Sequence, residues 1–547
     1  MAGQAIARKR PTLDAFTPKL VTVLRQGYGL ADLRADAMAG LTVAIIALPL
    51  AMALGVASGA TPTQGLITAI VAGAMISALG GSRVQVGGPT GAFVVVIFTV
   101  IAKHGYDGLL LATLLAGLIL VIAGYAGVGR IIRYIPHPVI VGFTAGIAVI
   151  IASSQINDLL GLRLPEVPVE FGAQWLAYGK AAARIDPATA LLAFGTLAML
   201  IVLRVKAPRW PALLITIAAG SMAVALLDLD VDTIGSRFPD MATGIPAPSL
   251  PDVSLAKLQA VAPAAFTIAF LAGIEALLSA VVADGMTGFR HRSGQELIGQ
   301  GAANIASALF GGLPATGALA RTAANVKAGA RTPFAGIFHS AFLLLFVLFA
   351  ADLMALVPMA VLAAVLLIVA WGMSEAGRFV MLLRMPGGER LILLTTFLLT
   401  VLVDLTVAIG VGVTLASLMF MARMSENVAV ETADEDPSQR EDLPPAVEVF
   451  RINGPFFFGA AGGLIDAFAR IGGKPRTIIL RLEQVPFVDS SGALALHEFV
   501  DRAERAGIAV ILSGASPQLL KSVRRARRGH KLRRAGTYAE ALALARG

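Results

Sequence analysis

From about residue 38 to residue 422 the chain repeats one pattern: a long apolar run, a short polar joint, another apolar run. A bilayer-spanning helix needs about 20 predominantly apolar residues. Fourteen runs approach that length, at 38–57, 62–80, 89–103, 107–126, 137–157, 188–204, 210–227, 262–283, 295–310, 316–328, 334–353, 355–372, 388–403 and 405–422. The third and tenth are too short to cross alone and predict half-helices. An even number of spans puts both ends of the chain on one side. The first run begins behind a long polar segment, which argues against a signal peptide. Composition agrees with burial in lipid: 56% of residues are hydrophobic and only 14% charged, with a mean hydropathy of +0.78, whereas soluble domains carry about 25% charged residues.

Two stretches echo each other. Ser77-Ala-Leu-Gly-Gly81 precedes Pro89-Thr-Gly-Ala-Phe93, and Ser307-Ala-Leu-Phe-Gly-Gly312 precedes Ala315-Thr-Gly-Ala-Leu319. Each copy breaks an apolar run with glycine and restarts it. Matching Gly/Pro interruptions in the two halves of a membrane protein predict broken helices meeting near the midplane, where secondary transporters bind substrate.

Charge then sets orientation. With the N-terminus inside, the inner connections carry thirteen Lys/Arg, among them Arg83, Arg292, Lys327 and Arg331, against six outside, mostly in two long loops. Positive charge in short loops marks the cytoplasmic side, so both termini are expected there. The net charge of +9 then reflects topology and membrane-surface attraction, not nucleic-acid binding. With no cysteine in the chain, disulfides, thiolate metal sites and thiol catalysis are excluded. The six histidines show no metal-ligand spacing, and no P-loop is present. No nucleophile–base pair stands at a useful spacing, so the chain does not read as an enzyme.

Past residue 424 the composition changes. Glu431 to Asp442 is polar and acidic and ends in Leu443-Pro-Pro445, which reads as a linker. Strands are expected at 447–452, 477–482 and 508–512, and helices at 462–469, 492–506, 517–525 and 538–546. Alternating strands and helices over about 100 residues indicate a small α/β domain. The domains are therefore 1–36 (cytoplasmic segment), 37–424 (transmembrane domain), 425–445 (linker) and 446–547 (α/β domain). Within Val488-Asp-Ser-Ser-Gly492, Ser490 is either a helix N-cap or a phosphorylation site. The basic run Lys521–Arg534 is either a solvated helix face or a dock for an acidic cytosolic protein or an anionic leaflet.

Ionisable residues inside lipid are costly and mark pathways or sites. Glu275 sits mid-span, Arg321 sits just inside the tenth run, Asp284 is placed at the interface, and His339 reads as a satisfied core histidine. Two half-helix starts, at Thr90-Gly91-Ala92 and at Leu319-Ala320-Arg321, would turn free N–H groups and positive dipole ends toward one cavity. Arg321 adds a permanent cation suited to carboxylate or oxyanion geometry. Glu275 would repel an anion unless it pairs with Arg321 or binds H+ or Na+ and couples cargo to a gradient.

These residues resemble the SulP anion transporters along nearly the whole chain. The resemblance is carried by 40–53, by 80–90, by Ile274-Glu-Ala-Leu-Leu278 with Asp284-Gly285, and by 311–327. Residues 446–547 resemble a STAS domain, with Asp489-Ser-Ser-Gly492 at its signature loop. The resemblance implies a polytopic α-helical membrane protein of 14 spans in 7+7 inverted repeats. These split into a core domain (spans 1–4 and 8–11) and a gate domain (5–7 and 12–14), followed by a cytoplasmic α/β STAS domain. It also implies a homodimer and elevator-like movement of the core.

Residue by residue, the resemblance places substrate against Pro49, Leu50 and Leu54 of span 1, Thr90, Gly91, Ala92 and Phe93 of span 3, Glu275 of span 8, and Leu319, Ala320, Arg321 and Thr322 of span 10. Several animal relatives carry serine where this chain has Ala320 and phenylalanine where it has Thr90, a departure that suits a bulkier or more polar anion than chloride. Ser490 matches the serine phosphorylated in STAS domains of anti-sigma-factor antagonists.

Among relatives the bacterial dicarboxylate-transporting type is most similar, through Ile46–Leu54 and Arg321–Gly329. The expected function is proton-coupled uptake of organic dicarboxylates in a bacterial inner membrane, with Glu275 as coupling carboxylate and no cofactor. Alternatives are Na+- or H+-coupled bicarbonate or sulfate transport, with Ser279 and Thr316 as further Na+ ligands, and an uncoupled anion channel or exchanger. A membrane-tethered STAS signalling protein is a further class.

Overall fold

In the computed structural model, residues 13–546 are described except 131–135, 165–166, 169, 208–209, 240–243, 404, 427–428, 433–442, 445, 458–474, 518 and 522–532. The chain divides into two compact units, 1–413 and 414–547.

The first unit is helical. A short helix α1 (Lys19–Gln26) leads into α2 (Leu30–Ala57), α3 (Pro62–Leu79), a two-residue strand β1 (Gly87–Gly88) and α4 (Val94–Tyr125). Next come α5 (His137–Ser154), α6 (Ile156–Leu160), α7 (Phe171–Ala181), α8 (Pro187–Lys206), α9 (Ala212–Leu227) and α10 (Ile234–Arg237). The second half runs α11 (Leu255–Thr287), α12 (Ser293–Leu309), β2 (Thr316–Gly317), α13 (Leu319–Lys327), α14 (Phe334–Phe349), α15 (Ala351–Ala355), α16 (Met359–Met373), α17 (Ala376–Leu383), α18 (Gly387–Leu402) and α19 (Leu405–Glu426).

Among the described residues, eight helical stretches of at least 18 residues are apolar enough to cross a membrane, one of them, Met359–Leu383, made of α16 and α17 together. All fourteen expected runs are nonetheless helical. The third and fourth are merged in α4 and parted by Gly105, whose φ of 70° and ψ of 179° break the helix. The remaining five, α9, α12, α13, α14 and α18, are shorter than 18 residues.

Two helical sets emerge. Helices α2, α3, α4, α11, α12, α13 and α14 pack on one another, and α5, α6, α8, α9, α16, α17 and α18 pack on one another. This is the division of core and gate that the resemblance implies, for all spans but the fourteenth. Lipid offers no hydrophobic drive between helices, so small residues that let backbones approach do the work. Gly117 of α4 and Gly301 of α12 meet this way: a Cβ on Gly301 would lie 2.5 Å from the Gly117 carbonyl oxygen.

Helix α3 starts with a capping box in which Thr61 accepts from Gln64 N while Gln64 accepts from Thr61 N. Past the Gly80-Gly81 break at its far end, the chain is held by Glu296 of α12, whose fully buried carboxylate accepts from Gly81 N (2.8 Å), Ser82 N (2.9 Å) and Gln300 Nε2 (2.8 Å). At that same end, Lys19 N donates to Gly80 O, and Arg292 donates to Thr17 O and Thr22 Oγ1.

The second unit contains a five-stranded sheet in the order β3 (Ala429–Thr432), β4 (Val447–Asn453), β5 (Thr477–Arg481), β6 (Ala509–Ser513) and β7 (Arg533–Ala535). β3 is antiparallel to β4 and the others are parallel. Helices α20 (Ser490–Arg505) and α21 (Tyr538–Arg546) complete what is described. Two expectations are corrected. The linker expected at 425–445 contains a paired strand, because Ala429–Thr432 finds the free edge of β4. Ser490 is the first helical residue and not the cap: the Asp489 carboxylate accepts from Gly492 N at 2.7 Å. The helix expected at 462–469 and residues 522–532 of the run Lys521–Arg534 lie outside the described residues. Arg533 and Arg534 are exposed on β7, not on a helix.

Candidate functional site

The echoed segments meet. β1 and β2 pair antiparallel, Gly87 against Gly317 and Gly88 against Thr316, and Ala318 N extends the pairing to Val86 O at 2.9 Å. A helix starts just beyond each strand: a 3-10 turn, Gly91–Phe93, opens α4, and α13 opens at Leu319. Neither start has a side-chain cap. The first N–H groups of a helix lack intrahelical partners and carry the positive end of its dipole, so two uncapped starts flank one paired ribbon. At the second of these, Leu319 is 48% exposed and Ala320 is exposed as well.

Side chains complete the arrangement. Thr90 Oγ1 donates to Glu275 Oε2 at 2.8 Å, tying the first helix start to the middle of α11. Both residues are half-buried. Leu54, Ala92 and Phe93 are buried in one apolar cluster with Leu50 at its edge, and Pro49 is buried beside them in sequence. On the facing set, Gly91 lies against Met373 of α16 and Ile151 of α5: a Cβ there would come within 2.4 Å of Met373 Sδ. A side chain at that position would have to push the ends of Met373 and Ile151 aside.

Arg321 is 2% exposed, and among the described residues none of its three guanidinium nitrogens has a hydrogen-bond partner. It lies against the ribbon, where a Cβ on Gly88 would be 2.2 Å from Nη1. The ion pair between Glu275 and Arg321 left open by the sequence is not formed; Glu275 takes the Thr90 hydroxyl instead. Ser279 and Thr316 are also otherwise engaged. Ser279 Oγ donates to Thr322 Oγ1 (3.1 Å), Thr322 Oγ1 accepts from Val86 N (3.2 Å), and Thr316 Oγ1 donates to Ala272 O (2.8 Å). These bonds fasten the ribbon to α11. Among the described residues no three His, Asp or Glu side chains gather as a metal site.

Residues 33–396 match the sulfate permease family, and residues 442–541 match the STAS domain. The chain belongs to the sulfate permease family. This permease is 40% identical over 497 residues to YvdB of Bacillus subtilis, which carries the provisional name of sulfate transporter, covering 90% of this chain and 93% of that one. It is 32% identical over 515 residues to the bicarbonate transporter BicA of Picosynechococcus, covering 89% of each. Among solved structures, the transmembrane domain of a cyanobacterial BicA superposes with a TM-score of 0.64 at 32% identity, over 70% of this chain and 99% of that one. Murine solute carrier 26 family member A9 superposes with a TM-score of 0.85 over 100% of this chain and 96% of that one; at 17% identity it speaks for the fold alone. The permease is thus a helical, membrane-embedded anion transporter with a C-terminal STAS domain.

The sequence reading missed three features. Glu296 is a fully buried carboxylate inside the ninth run, and its polar companions Gln300 and Asn304, at four-residue spacing, were the available signal. Met373 and Ile151 carry no chemical signature in sequence. His339 is fully buried, but neither ring nitrogen has a partner, so it is not the satisfied core histidine expected. Asp284 is part-buried and pairs with His291 at 2.7 Å.

Proposed function

We propose that this permease takes up organic dicarboxylates together with protons. The observation that carries the reading is the Thr90–Glu275 hydrogen bond beside an uncapped helix start, with the Arg321 guanidinium left without a counter-charge. The helix starts and Arg321 supply positive potential for an anion. Glu275 has no cation of its own, so a proton arriving with the anion removes the repulsion between carboxylate and cargo. Thr90, a donor and acceptor in one hydroxyl, can serve either state of Glu275. In this reading Pro49, Leu50, Leu54, Gly91, Ala92, Phe93, Leu319, Ala320 and Thr322 shape the walls. The core set carries the site past the gate set in a homodimer of a bacterial inner membrane, with both termini and the STAS domain cytoplasmic.

A second reading is bicarbonate or sulfate as cargo, driven by Na+ or H+. The names of the relatives at 40% and 32% identity favour it. Proteoliposomes loaded through an imposed and then collapsed inward pH gradient, offered labelled fumarate, sulfate or bicarbonate, separate the two. Fumarate uptake that follows the gradient supports the first. Uptake of an inorganic anion replaces the cargo, and flux indifferent to pH and Na+ replaces coupled transport by a channel or exchanger.

A further inference from the structure

One face of α3, carried by Ala69, Gly73 and Ser77 at four-residue intervals, is overlaid by buried polar groups that have no hydrogen-bond partner among the described residues. The point where a Cβ on Gly88 would sit is 2.2 Å from Arg321 Nη1 and 3.5 Å from Ala69 Cα. One turn along, the same point on Gly73 is 3.9 Å from His339 Cε1 and 3.2 Å from Gly87 O. A further turn along, Ser77 Oγ lies 2.0 Å from where a Cβ on Gly336 would be. All three nitrogens of Arg321, both nitrogens of His339 and Ser77 Oγ lack a hydrogen-bond partner.

The charges around these groups are few. Helices α3 and α14 carry none besides His339. On α2, Asp36 is committed to Tyr28, Thr332 and Arg331 N, and Asp32 to Arg331. Arg83 covers the ring of Phe289, Glu275 accepts from Thr90, and Lys327 sits in the last turn of α13. Arg321 stands against Gly88, and His339 stands by Gly73, which itself lies against Gly87.

We propose that His339 is a second proton-binding residue of the transport cycle, filled together with an anion on Arg321. The proton goes to a free ring nitrogen and no bond breaks. A protonated imidazole puts a second positive charge near a guanidinium that forms no ion pair among the described residues; an anion on Arg321 supplies the missing negative charge. Anion and proton therefore favour each other, and the favour is reciprocal. The proposal rests on the reading that Arg321 receives the anion, and is independent of the role given to Glu275.

Calorimetric titration of the full-length protein in nanodiscs tests it, with fumarate, sulfate and bicarbonate as probes, near pH ~6.5, the ordinary histidine range. Buffers of different ionisation enthalpy yield the protons taken up per anion bound. Expected is uptake that survives in Glu275→Gln, falls in His339→Gln and vanishes in the double variant. Identical proton counts in His339→Gln and its parent overturn the proposal and leave Glu275 standing. Loss confined to His339→Gln upholds it and removes Glu275 from coupling. No anion binding at all, or binding without proton uptake, overturns it. Should His339→Gln fail to fold, the Cε1–H resonance of labelled wild-type protein decides: it moves toward the imidazolium value when sulfate is added, and an unmoved resonance overturns the proposal.

Discussion

Thr90 and Glu275, 185 positions apart, share a hydrogen bond of 2.8 Å that joins the start of a broken helix to the middle of an unbroken one. Glu275→Gln keeps an oxygen for the Thr90 hydroxyl but cannot take a proton. Coupling energies between ligands run about 1–3 kcal/mol, or 5–150-fold, and the loss of gradient-driven uptake is expected in that range. Exchange of labelled for unlabelled anion should persist. Gradient-driven uptake equal to wild type in proteoliposomes would remove Glu275 from coupling.

Arg321 and Arg331 are ten positions apart in sequence but differ in setting. Arg321 is buried without a partner, whereas Arg331 reaches Asp32 at 3.2 Å with a side chain 58% exposed. A hydrogen bond to a charged group is worth about 1.5–3 kcal/mol, and an exposed ion pair about 0–1 kcal/mol. Arg321→Ala should weaken anion binding roughly 10- to 150-fold, and Arg331→Ala by less than about fivefold. Equal effects on the dissociation constant, measured by titration, would take Arg321 out of the site.

In the α/β unit the cap of α20 is Asp489, accepting from Gly492 N at 2.7 Å, while Ser490 is exposed at the first helical position. Losing an N-cap costs about 1 kcal/mol. Asp489→Ala is expected to speed hydrogen exchange across the first turns of α20 in the full-length protein, about fivefold. Ser490→Ala should leave exchange unchanged; the reverse order would return the cap to the serine.

Much of this was legible in the chain because lipid enforces a simple grammar. Apolar runs must be helices, so all fourteen could be marked. The echoed glycines betrayed the two breaks that β1 and β2 now join. Reading failed where partners decide a residue's role. Sequence alone could not show that the Ser279 and Thr316 hydroxyls donate to Thr322 Oγ1 and Ala272 O. His339 looked inert because a lone histidine in an apolar run usually finds a partner, and here neither ring nitrogen does. The Ala429–Thr432 strand hid in an acidic stretch, since an edge strand needs only a neighbour's free backbone.

The packing of α4 on α12 offers the last test, because it separates the fold from the site. A Cβ on Gly301 would sit 2.5 Å from Gly117 O and 2.8 Å from Val121 N, and backbone atoms cannot swing aside as a side chain can. Overpacking of this kind costs about 1–3 kcal/mol or more, and here α4 also carries the Gly91–Phe93 helix start on its N-terminal end. Gly301→Val should therefore lower the unfolding temperature in detergent and reduce anion binding together. Gly195 of α8 is the control, since a Cβ there would meet no atom within 4 Å. Replacing glycine by alanine inside a helix gains up to about 1 kcal/mol, so Gly195→Ala should hold or raise the unfolding temperature with binding unchanged. A tolerated Gly301→Val would mean that the two helices do not approach backbone to backbone.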